Sequence, residues 1–358
     1  MKKLFTSALL ILAALAVSPA FAAVLRVNNT PGVNAPYTSF AAAQTAAVAG
    51  DIIQLEPSNT SYGALTVNKA VTIMGAGYLL GTGQNTGLQY TALEASTGAV
   101  TFSAGSAGAR ITGLRILGDV NINVSSVTVE RNILWTVGYG ANYSIIINGG
   151  TAPGTSDVFV RGNWFGGMSG TGTSTNFNIA NNIISAGMNM PATMSGMVTH
   201  NLFNYDAGYN SFGTNYFVYN SLVTNNIMFK PSGTSVTNNS NYYNRFATAL
   251  SYNNTYTNNI GDWSAAFPND GVANINNLNS VGYASIFTYT GSDDARYTLR
   301  PAPSPARGAG TSGVDCGIFG GVQPYVLGGI PNSPTIYQLN SNVSGTNLNV
   351  TVGTKSNN

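Results

Sequence analysis

The sequence predicts an all-β solenoid in which short strands stack along one axis, the architecture of a β-helix. One pattern, apolar-x-apolar-x-x-Asn-apolar, returns five times in the middle of the chain, and its Asn residues are Asn132, Asn163, Asn182, Asn201 and Asn226. A repeat of about 20–30 residues is typical of solenoids. Within each copy the apolar residues alternate with a period of 2 rather than 3.6, so the repeated unit is a strand.

Residues 1–22 read as a signal peptide. Lys2 and Lys3 precede an apolar run from residue 4 to 17, and small residues at 20–22 supply a cleavage site. The run is too short for a transmembrane helix, which needs roughly 20 apolar residues. We therefore expect the mature chain to be secreted or held at the cell surface, with no integral membrane segment after signal removal.

The composition indicates a folded protein with an unusually uncharged surface. Only 7% of the residues are charged and the formal net charge is +2, whereas an ordinary globular protein is about 25% charged. A hydrophobic content of 44% argues against disorder. The low charge argues against nucleic acid or an anionic membrane as a partner. The single Cys316 excludes an intrachain disulfide, so stability is expected to come from stacking.

Five elements are predicted ahead of the repeats. Residues 24–27 form a first strand, and the Ala-rich residues 37–48 form a short helix that begins with Thr and Ser and ends at Gly50-Asp51. Alternating apolar residues then predict strands at 52–56, 65–67 and 71–74. Domain 23–321 therefore begins with a strand, a helix and further strands before the Asn repeats.

Several segments carry motifs of a known superfamily. They read Gly-Asp-Ile-Ile-Gln-Leu (50–55), Tyr-Gly-Ala-Leu-Thr-Val-Asn-Lys (62–69) and Val-Thr-Ile-Met-Gly-Ala-Gly (71–77), followed by residues 109–118, the five Asn copies, and residues 297–310 and 315–321. Together they resemble the pectate-lyase-like right-handed parallel β-helix superfamily. The resemblance implies a right-handed parallel β-helix over residues 23–321, with the N-terminal helix capping its open end. An uncovered end would expose apolar core and unpaired backbone groups.

The end of the chain departs from that pattern. Arg307 and Cys316 stand where the superfamily commonly has an aliphatic residue, which leaves the packing of the final turn open. Residues 322–358 are predicted to be a linker, punctuated by Pro residues, and a short C-terminal β tail whose strands lie within 336–352. We expect the tail to pack on the coil, the alternative being an edge strand offered to a neighbour.

The repeated Asn residues are predicted to form an internal ladder. Neighbouring strands lie about 4.8 Å apart, so Asn132, Asn163, Asn182, Asn201 and Asn226 should stack as one column. Asn tolerates left-handed backbone angles in a corner, and its amide can bond to the Asn above and below. We favour this structural role over a ligand site.

The residues just before the ladder Asn residues are the candidate catalytic groups. Alignment of the copies places Glu130, Arg131 and Arg161 on adjacent rungs, with His200 two rungs further along. The resemblance implies a lyase site with an Arg or Lys base and acidic partners, acting on uronate polysaccharides. Such a reaction needs a base and a positive group, or calcium, to stabilise the enolate. No clustered calcium ligands are visible, so no cofactor is assigned and calcium stays open.

A structural explanation of the same residues is favoured. Opposite charges on neighbouring strands commonly form exposed, weakly stabilising ion pairs, so Glu130 and Arg161 are expected to pair. His200 suits a turn as well as it suits acid–base chemistry.

A loop is the candidate carbohydrate-binding site, with Tyr205, Asp206, Tyr209 and Asn210. Aromatic rings stack on the apolar face of a sugar while amide and hydroxyl groups bond to its rim. Loops on a rigid scaffold are where binding residues tend to lie.

Three functions follow from these features. The first is a non-catalytic exported protein that binds a polysaccharide or another cell-surface component through polar and aromatic loops. The second, which rests on the resemblance and on the charged residues around Glu130, is a polysaccharide lyase or hydrolase. The third is a structural subunit of an extracellular filament or coat, formed by self-assembly.

Overall fold

The computed structural model describes residues 22–134, 144–150, 154–185, 187–204, 215–229, 245–246, 253–262, 266–268, 274–288 and 293–357. Residues 1–21 of the predicted signal peptide and the loop with Tyr205, Asp206, Tyr209 and Asn210 lie outside these ranges.

The described chain is mostly β. Its strands are β1 (Val24–Val27), β2 (Ile52–Leu55), β3 (Leu65–Val67), β4 (Thr72–Met74), β5 (Ser96–Thr97), β6 (Val100–Phe102), β7 (Arg110–Thr112), β8 (Arg115–Ile116), β9 (Val120–Ile122), β10 (Thr128–Glu130), β11 (Ile145–Asn148), β12 (Thr155–Ser156), β13 (Phe159–Arg161), β14 (Trp164–Phe165), β15 (Met168–Thr171), β16 (Ser174–Ala180), β17 (Ile183–Ile184), β18 (Met188–Asn189), β19 (Met194–Thr199), β20 (Leu202–Asn204), β21 (Asn215–Phe217), β22 (Leu222–Thr224), β23 (Ile227–Phe229), β24 (Arg245–Phe246), β25 (Thr255–Thr257), β26 (Ile260–Gly261), β27 (Thr335–Ser344) and β28 (Asn347–Lys355).

The helices are short. They are α1 (Phe40–Ala46), α2 (Tyr283–Ile286) and the 3₁₀ turns Gly83–Asn85, Asp294–Tyr297, Thr311–Gly313 and Leu327–Gly329. None of the described helices has the length and apolar character needed to cross a membrane.

Three parallel sheets contain most of the strands. Sheet 1 has the order β1-β2-β4-β7-β10-β13-β16-β19-β22-β25, with β12 beside β16; sheet 2 has the order β24-β21-β18-β15-β11-β9-β6-β3; sheet 3 has the order β14-β17-β20-β23-β26. Strands β5 and β8 form a parallel pair, and single bridges through Ile133 connect β8 to β14. From β13 to β26 the chain visits sheets 1, 3 and 2 in turn, so strand order follows chain order in every sheet.

One apolar core lies between the three sheets. Sheet 1 contributes a column of side chains in parallel register, Ile53, Ile73, Ile111, Val129, Val160, Ile179, Val198, Val223 and Tyr256. These side chains are buried, and most of them are β-branched. Burial of one such side chain is worth about 1.5–3 kcal/mol. The period of 2 in the sequence thus reflects one buried and one outward side chain in turn.

Sheet 3 is buried on both faces. In β14, β17, β20 and β23 the second residue, such as Phe165, joins the core, whereas the first residue, such as Trp164, packs in a second apolar cluster. That cluster also contains Ile286, Tyr297 and Cys316, which come from the C-terminal part of the chain. A strand that is covered on both faces carries apolar residues at consecutive positions. The residue pairs that begin β14, β17, β20 and β23 follow this rule.

Helix α1 is tied to the first strands. Ser39 begins the helix, and its Oγ accepts a hydrogen bond from the Ala42 N–H at 3.3 Å. Gln44 donates to the Thr66 carbonyl at 2.9 Å and accepts from the Asn68 N–H at 3.1 Å. The helix is shorter than the predicted 37–48, because Tyr37 forms a bridge with Val27 at the edge of β1.

Seven buried Asn side chains form a continuous hydrogen-bonded column between sheets 1 and 3. The members are Asn132, Asn163, Asn182, Asn201, Asn226, Asn259 and Asn277, and each Nδ2 donates to the Oδ1 of the next Asn at 2.8–3.2 Å. Each of these Oδ1 atoms also accepts the backbone N–H of the preceding Asn, for example from Asn163 to Asn182 at 3.0 Å. Each Nδ2 donates to a sheet 1 carbonyl as well, for example from Asn182 to Val160 at 2.8 Å.

The left-handed backbone angle does not belong to the ladder Asn residues, contrary to the expectation from the sequence. It belongs to the residue before each one, and these residues are Arg131, Gly162, Asn181, His200, Asn225, Asn258 and Asn276, with φ between 53° and 63°. The preceding residue makes the turn, and the turn directs the ladder side chain inward. We call these seven residues the turn column.

Residues 306–334, which we call the return segment, run back along the turn column from its last members to its first. Asn258 donates to the Ala309 carbonyl at 2.9 Å, and Asn181 donates to the Ile318 and Gly320 carbonyls, each at 2.8 Å. Near the beginning of the chain the Tyr78 N–H donates to the Gly328 carbonyl at 2.7 Å. Residues 315–321 therefore lie outside the sheets.

A buried polar cluster fixes the far end of the return segment. The Asp294 carboxylate accepts from the Asn85 amide and from the Gly328 N–H, each at 2.8 Å. Beside it the hydroxyls of Tyr78 and Tyr325 are hydrogen-bonded to each other. Burial raises the pKa of Asp294 above its ordinary value.

The chain ends in an antiparallel hairpin of β27 and β28. Its base is held by the Tyr90 N–H, which donates to the Ile336 carbonyl at 2.8 Å, and by Asn357, which donates to the Ser333 carbonyl at 2.7 Å. Beyond the base, the side chains of residues 336–352 are exposed.

We predict that Asn182→Ala lowers the free energy of unfolding by about 2–4 kcal/mol. The substitution removes the acceptor of the buried Asn163 N–H and Nδ2 groups and the amide that donates to the Val160 carbonyl, and each unsatisfied buried group costs about 1–3 kcal/mol. Chemical denaturation measures the change. Asn178→Ala, on the outward side of the preceding strand β16, is the control, and it should cost less than about 0.5 kcal/mol. Equal losses in the two variants would contradict the prediction.

Candidate functional site

Sheet 1 presents two columns of side chains on the side opposite the core. In register from β7 to β25, the first column is Arg110, Thr128, Phe159, Asn178, Met197, Leu222 and Thr255, and the second is Thr112, Glu130, Arg161, Ala180, Thr199, Thr224 and Thr257. The parallel pairing without offset brings residues from distant parts of the sequence onto one surface.

Two adjoining clefts lie between this surface and the return segment. The lower cleft has a volume of about 450 Å³ and is lined by Arg110, Glu130, Arg131, Arg161, Gly162, Val322, Gln323, Pro324, Val326, Asn332 and Asn357. The upper cleft has a volume of about 530 Å³ and is lined by Phe159, Arg161, Asn178, Ala180, Asn181, Met197, Thr199, His200, Leu222, Thr224, Asn225, Thr257, Thr311, Val322 and Gln323. Arg161, Val322 and Gln323 line both clefts, so the two clefts adjoin at these residues, and together we call them the groove.

The Glu130 carboxylate is held between two arginines. Arg161 Nε donates to its Oε2 at 2.7 Å, and Arg110 donates to its Oε1. Arg161 also donates from Nη1 to the Gln323 Oε1 at 2.6 Å, which connects the sheet to the return segment. The structure thus pairs Glu130 with Arg161 and adds Arg110, which the sequence analysis did not single out. Both oxygens of the carboxylate therefore already accept from a guanidinium group.

Arg131 anchors the return segment. Its Nη1 donates to the Ile330 carbonyl at 2.8 Å and to the Asn332 side chain. With Arg110 and Arg161 it places three guanidinium groups against one carboxylate in the lower cleft. The lower cleft therefore has a net positive charge.

His200 lies two strands beyond Arg161 in sheet 1, at the turn after β19, and it lines the upper cleft. The Asn225 amide donates to Nε2 at 3.2 Å, so the ring proton is on Nδ1, which donates to the Thr199 hydroxyl at 2.8 Å. Gly320 and Gly321 cover the ring, and a Cβ atom at Gly321 would come within 3.0–3.2 Å of three ring atoms. Burial lowers the pKa of His200, so the imidazole is neutral at pH 7.

The upper cleft combines exposed apolar side chains with hydroxyl and amide groups. Met197 and Leu222 are 38% and 36% exposed and share the first outward column with Phe159. In the second outward column beside them, the Thr257 hydroxyl donates to that of Thr224 at 3.1 Å. The sequence analysis did not single out Phe159, Met197 and Leu222. These residues occupy the x position between the two apolar residues of the repeat, where a polar side chain is expected.

Of the predicted catalytic groups, the structure brings Glu130, Arg131 and Arg161 together in the lower cleft, and it places His200 in the upper cleft. In the part of the chain that the structure describes, no three His, Cys, Asp or Glu side chains are placed to hold a metal ion.

We predict that His200 makes stability depend on pH between about 7 and 5. Its pKa is lower in the folded state than the unfolded value of about 6.5. The unfolded chain therefore takes up the proton first, and the contribution of His200 to stability is lost as the pH falls below 6.5. The unfolding midpoint of the wild type should fall over this interval.

The matched variant is His200→Asn, because Asn occupies the same left-handed position at Asn181 and Asn225. His200 is the single histidine of the chain, and Asp294 is unchanged in both proteins, so the difference between the two pH profiles isolates His200. Parallel profiles would show that His200 does not titrate between the two states.

Comparison of the chain with protein families, curated proteins and solved structures gave no match.

Proposed function

We propose that the three sheets wind as one right-handed parallel β-helix, with α1 as its N-terminal cap. The order of strands in each sheet supports this winding, because each circuit of the chain adds one strand to sheets 1, 3 and 2. Right-handed crossovers between parallel strands are the rule. The hydrogen bonds between Gln44 and the chain after β3 support the capping role of α1.

On this scaffold, the protein binds an extended polysaccharide in the groove formed by the two clefts, and it does not cleave the chain. The observation that carries the proposal is that the two adjoining clefts follow one another along the stacking direction of sheet 1. From β7 to β25 the outward columns cross seven strands, a length of about 30 Å at the usual spacing of neighbouring strands. Such a groove suits a linear polymer of several sugar units.

The chemistry of the groove suits a sugar with an acidic substituent. Phe159, Met197 and Leu222 offer apolar surface for the face of a sugar ring, and the Asn178 amide and the threonine hydroxyls can bond to its rim. The net positive lower cleft favours carboxylate or sulfate groups on the polymer.

Binding without cleavage is supported by the partners of the four predicted catalytic groups. Glu130 is ion-paired with Arg110 and Arg161, and Arg131 is hydrogen-bonded to the return segment. His200 uses both ring nitrogens in hydrogen bonds within the protein. A general base must instead reach the proton that it removes. Residues 1–22 as a signal peptide would bring this binding function to the cell exterior.

We predict that Phe159→Ala weakens retention of the wild type's preferred glycan about tenfold. Loss of one aromatic contact costs about 1–1.5 kcal/mol, and 1.4 kcal/mol corresponds to a tenfold change in affinity. Affinity electrophoresis of the purified protein on a panel of neutral, uronate and sulfated polysaccharides measures the effect. Tyr90→Ala removes an exposed aromatic ring outside the groove and should bind as the wild type does.

Three further outcomes of this experiment would overturn parts of the proposal. Retention that is unchanged in Phe159→Ala but lost in Tyr205→Ala and Tyr209→Ala would move the site from the groove to the loop. An unsaturated, ultraviolet-absorbing product, with or without added calcium, would make the protein a lyase. New reducing ends without that absorbance would make it a hydrolase.

A further inference from the structure

The C-terminal hairpin has one apolar face and one polar face. In the antiparallel register Leu339 pairs with Val352, Ser341 with Val350, and Val343 with Leu348, and these pairs share one face. The other face has the pairs Asn340 with Thr351, Asn342 with Asn349, and Ser344 with Asn347. Apart from Ser341, the first face is therefore aliphatic, and the second consists of amide and hydroxyl side chains.

The aliphatic face is open to solvent. Val343 is 75% exposed and Leu348 is 66% exposed, and Val350 and Val352 are each about half exposed. An isolated two-stranded hairpin is marginally stable in water, because it has no third layer to cover its apolar side. Exposed apolar patches on otherwise polar proteins mark interaction sites.

The body of the protein does not cover this face. The hydrogen bonds from Tyr90 and Asn357 hold only the base of the hairpin, at residues 333–336. Beyond the base, β27 extends through Ser344, which corresponds to a projection of about 25–30 Å at the usual rise per residue. The aliphatic face of the hairpin thus stays exposed beyond its base.

We propose that this aliphatic face packs against the same face of a second copy of the chain, which forms a symmetric dimer. Residues 335–354 contain no charged side chain, so two identical faces meet without electrostatic repulsion. Two such faces would bury on the order of 1,000 Å² in total, about the minimum for a specific interface. A two-fold axis lets each patch pair with itself and closes the assembly at two copies. The amide-rich faces stay in water on the outside.

Light scattering coupled to size exclusion, over a wide range of protein concentration, tests this proposal. The wild type should have twice the mass of one chain. Val350→Lys places a charge on the aliphatic face and should give a monomer. Thr351→Lys adds the same charge to the next residue of the same strand, on the polar face, and should remain a dimer.

Hydrogen exchange provides a second measurement, in case Val350→Lys also unfolds the hairpin. In the wild type, protection of the amides in residues 338–352 should rise with protein concentration, whereas in Val350→Lys it should not. A wild type that stays monomeric at high concentration, or a Val350→Lys protein that stays dimeric, would overturn the proposal. Assemblies that keep growing with concentration would also overturn it, because a symmetric face-to-face contact closes at two copies. Glycan retention should be unaffected by Val350→Lys, so the test of dimerisation is independent of the test of glycan binding.

Discussion

The buried Asn column is the interaction on which the rest of the structure depends. Wherever the chain leaves sheet 1, a tight turn carries backbone N–H and C=O groups into the interior, where an unpaired polar group costs about 1–3 kcal/mol. Each central Asn side chain satisfies the N–H of the Asn before it and a carbonyl of the preceding sheet 1 strand, as Asn201 does for Asn182 and Ile179. Because the amides also bond to one another, each turn is in register with the next, and the strands on both sides stack without offset.

The Asn column also determines which side chains contact the return segment on the outer surface. The residue before each ladder Asn adopts a left-handed backbone angle, and five of the seven turn-column side chains contact the return segment. Asn181, Asn225 and Asn258 use this position to bond to the backbone of residues 309–320. Arg131 and His200 occupy the same kind of position, and both contact the return segment. Arg131 and His200 thus contribute to the attachment of the return segment, as the Asn residues at equivalent positions do.

The local features of the fold could be predicted from the sequence, and the long-range ones could not. The alternation of apolar residues predicts the strands around Val160 and Ile179, and the repeated Asn predicts the column. Asn259 and Asn277 were missed because Asn254 stands at the first apolar position before Asn259, and Asn274 stands at the second apolar position before Asn277. Arg110 was missed because the β7 copy has Gly113-Leu114 instead of an Asn at the turn, so its position beside Thr128, within reach of Glu130, appears only in the register of β7 and β10. The return segment has no periodicity, and its position depends on contacts with residues more than a hundred positions away, such as the bonds of Asn181 to Ile318 and Gly320.

Because the scaffold carries few charges, its few outward charged and apolar side chains point to a binding function. With 7% of its residues charged, the protein has little reason to concentrate Arg110, Glu130 and Arg161 on three neighbouring strands for solubility alone. Similarly, Met197 and Leu222 add nothing to the core, and their exposure to water opposes folding. Both groups of residues lie on the one surface whose positions the Asn column fixes most tightly. A surface fixed in this way loses little conformational entropy when a ligand binds, and the affinity of a preorganised groove is correspondingly higher.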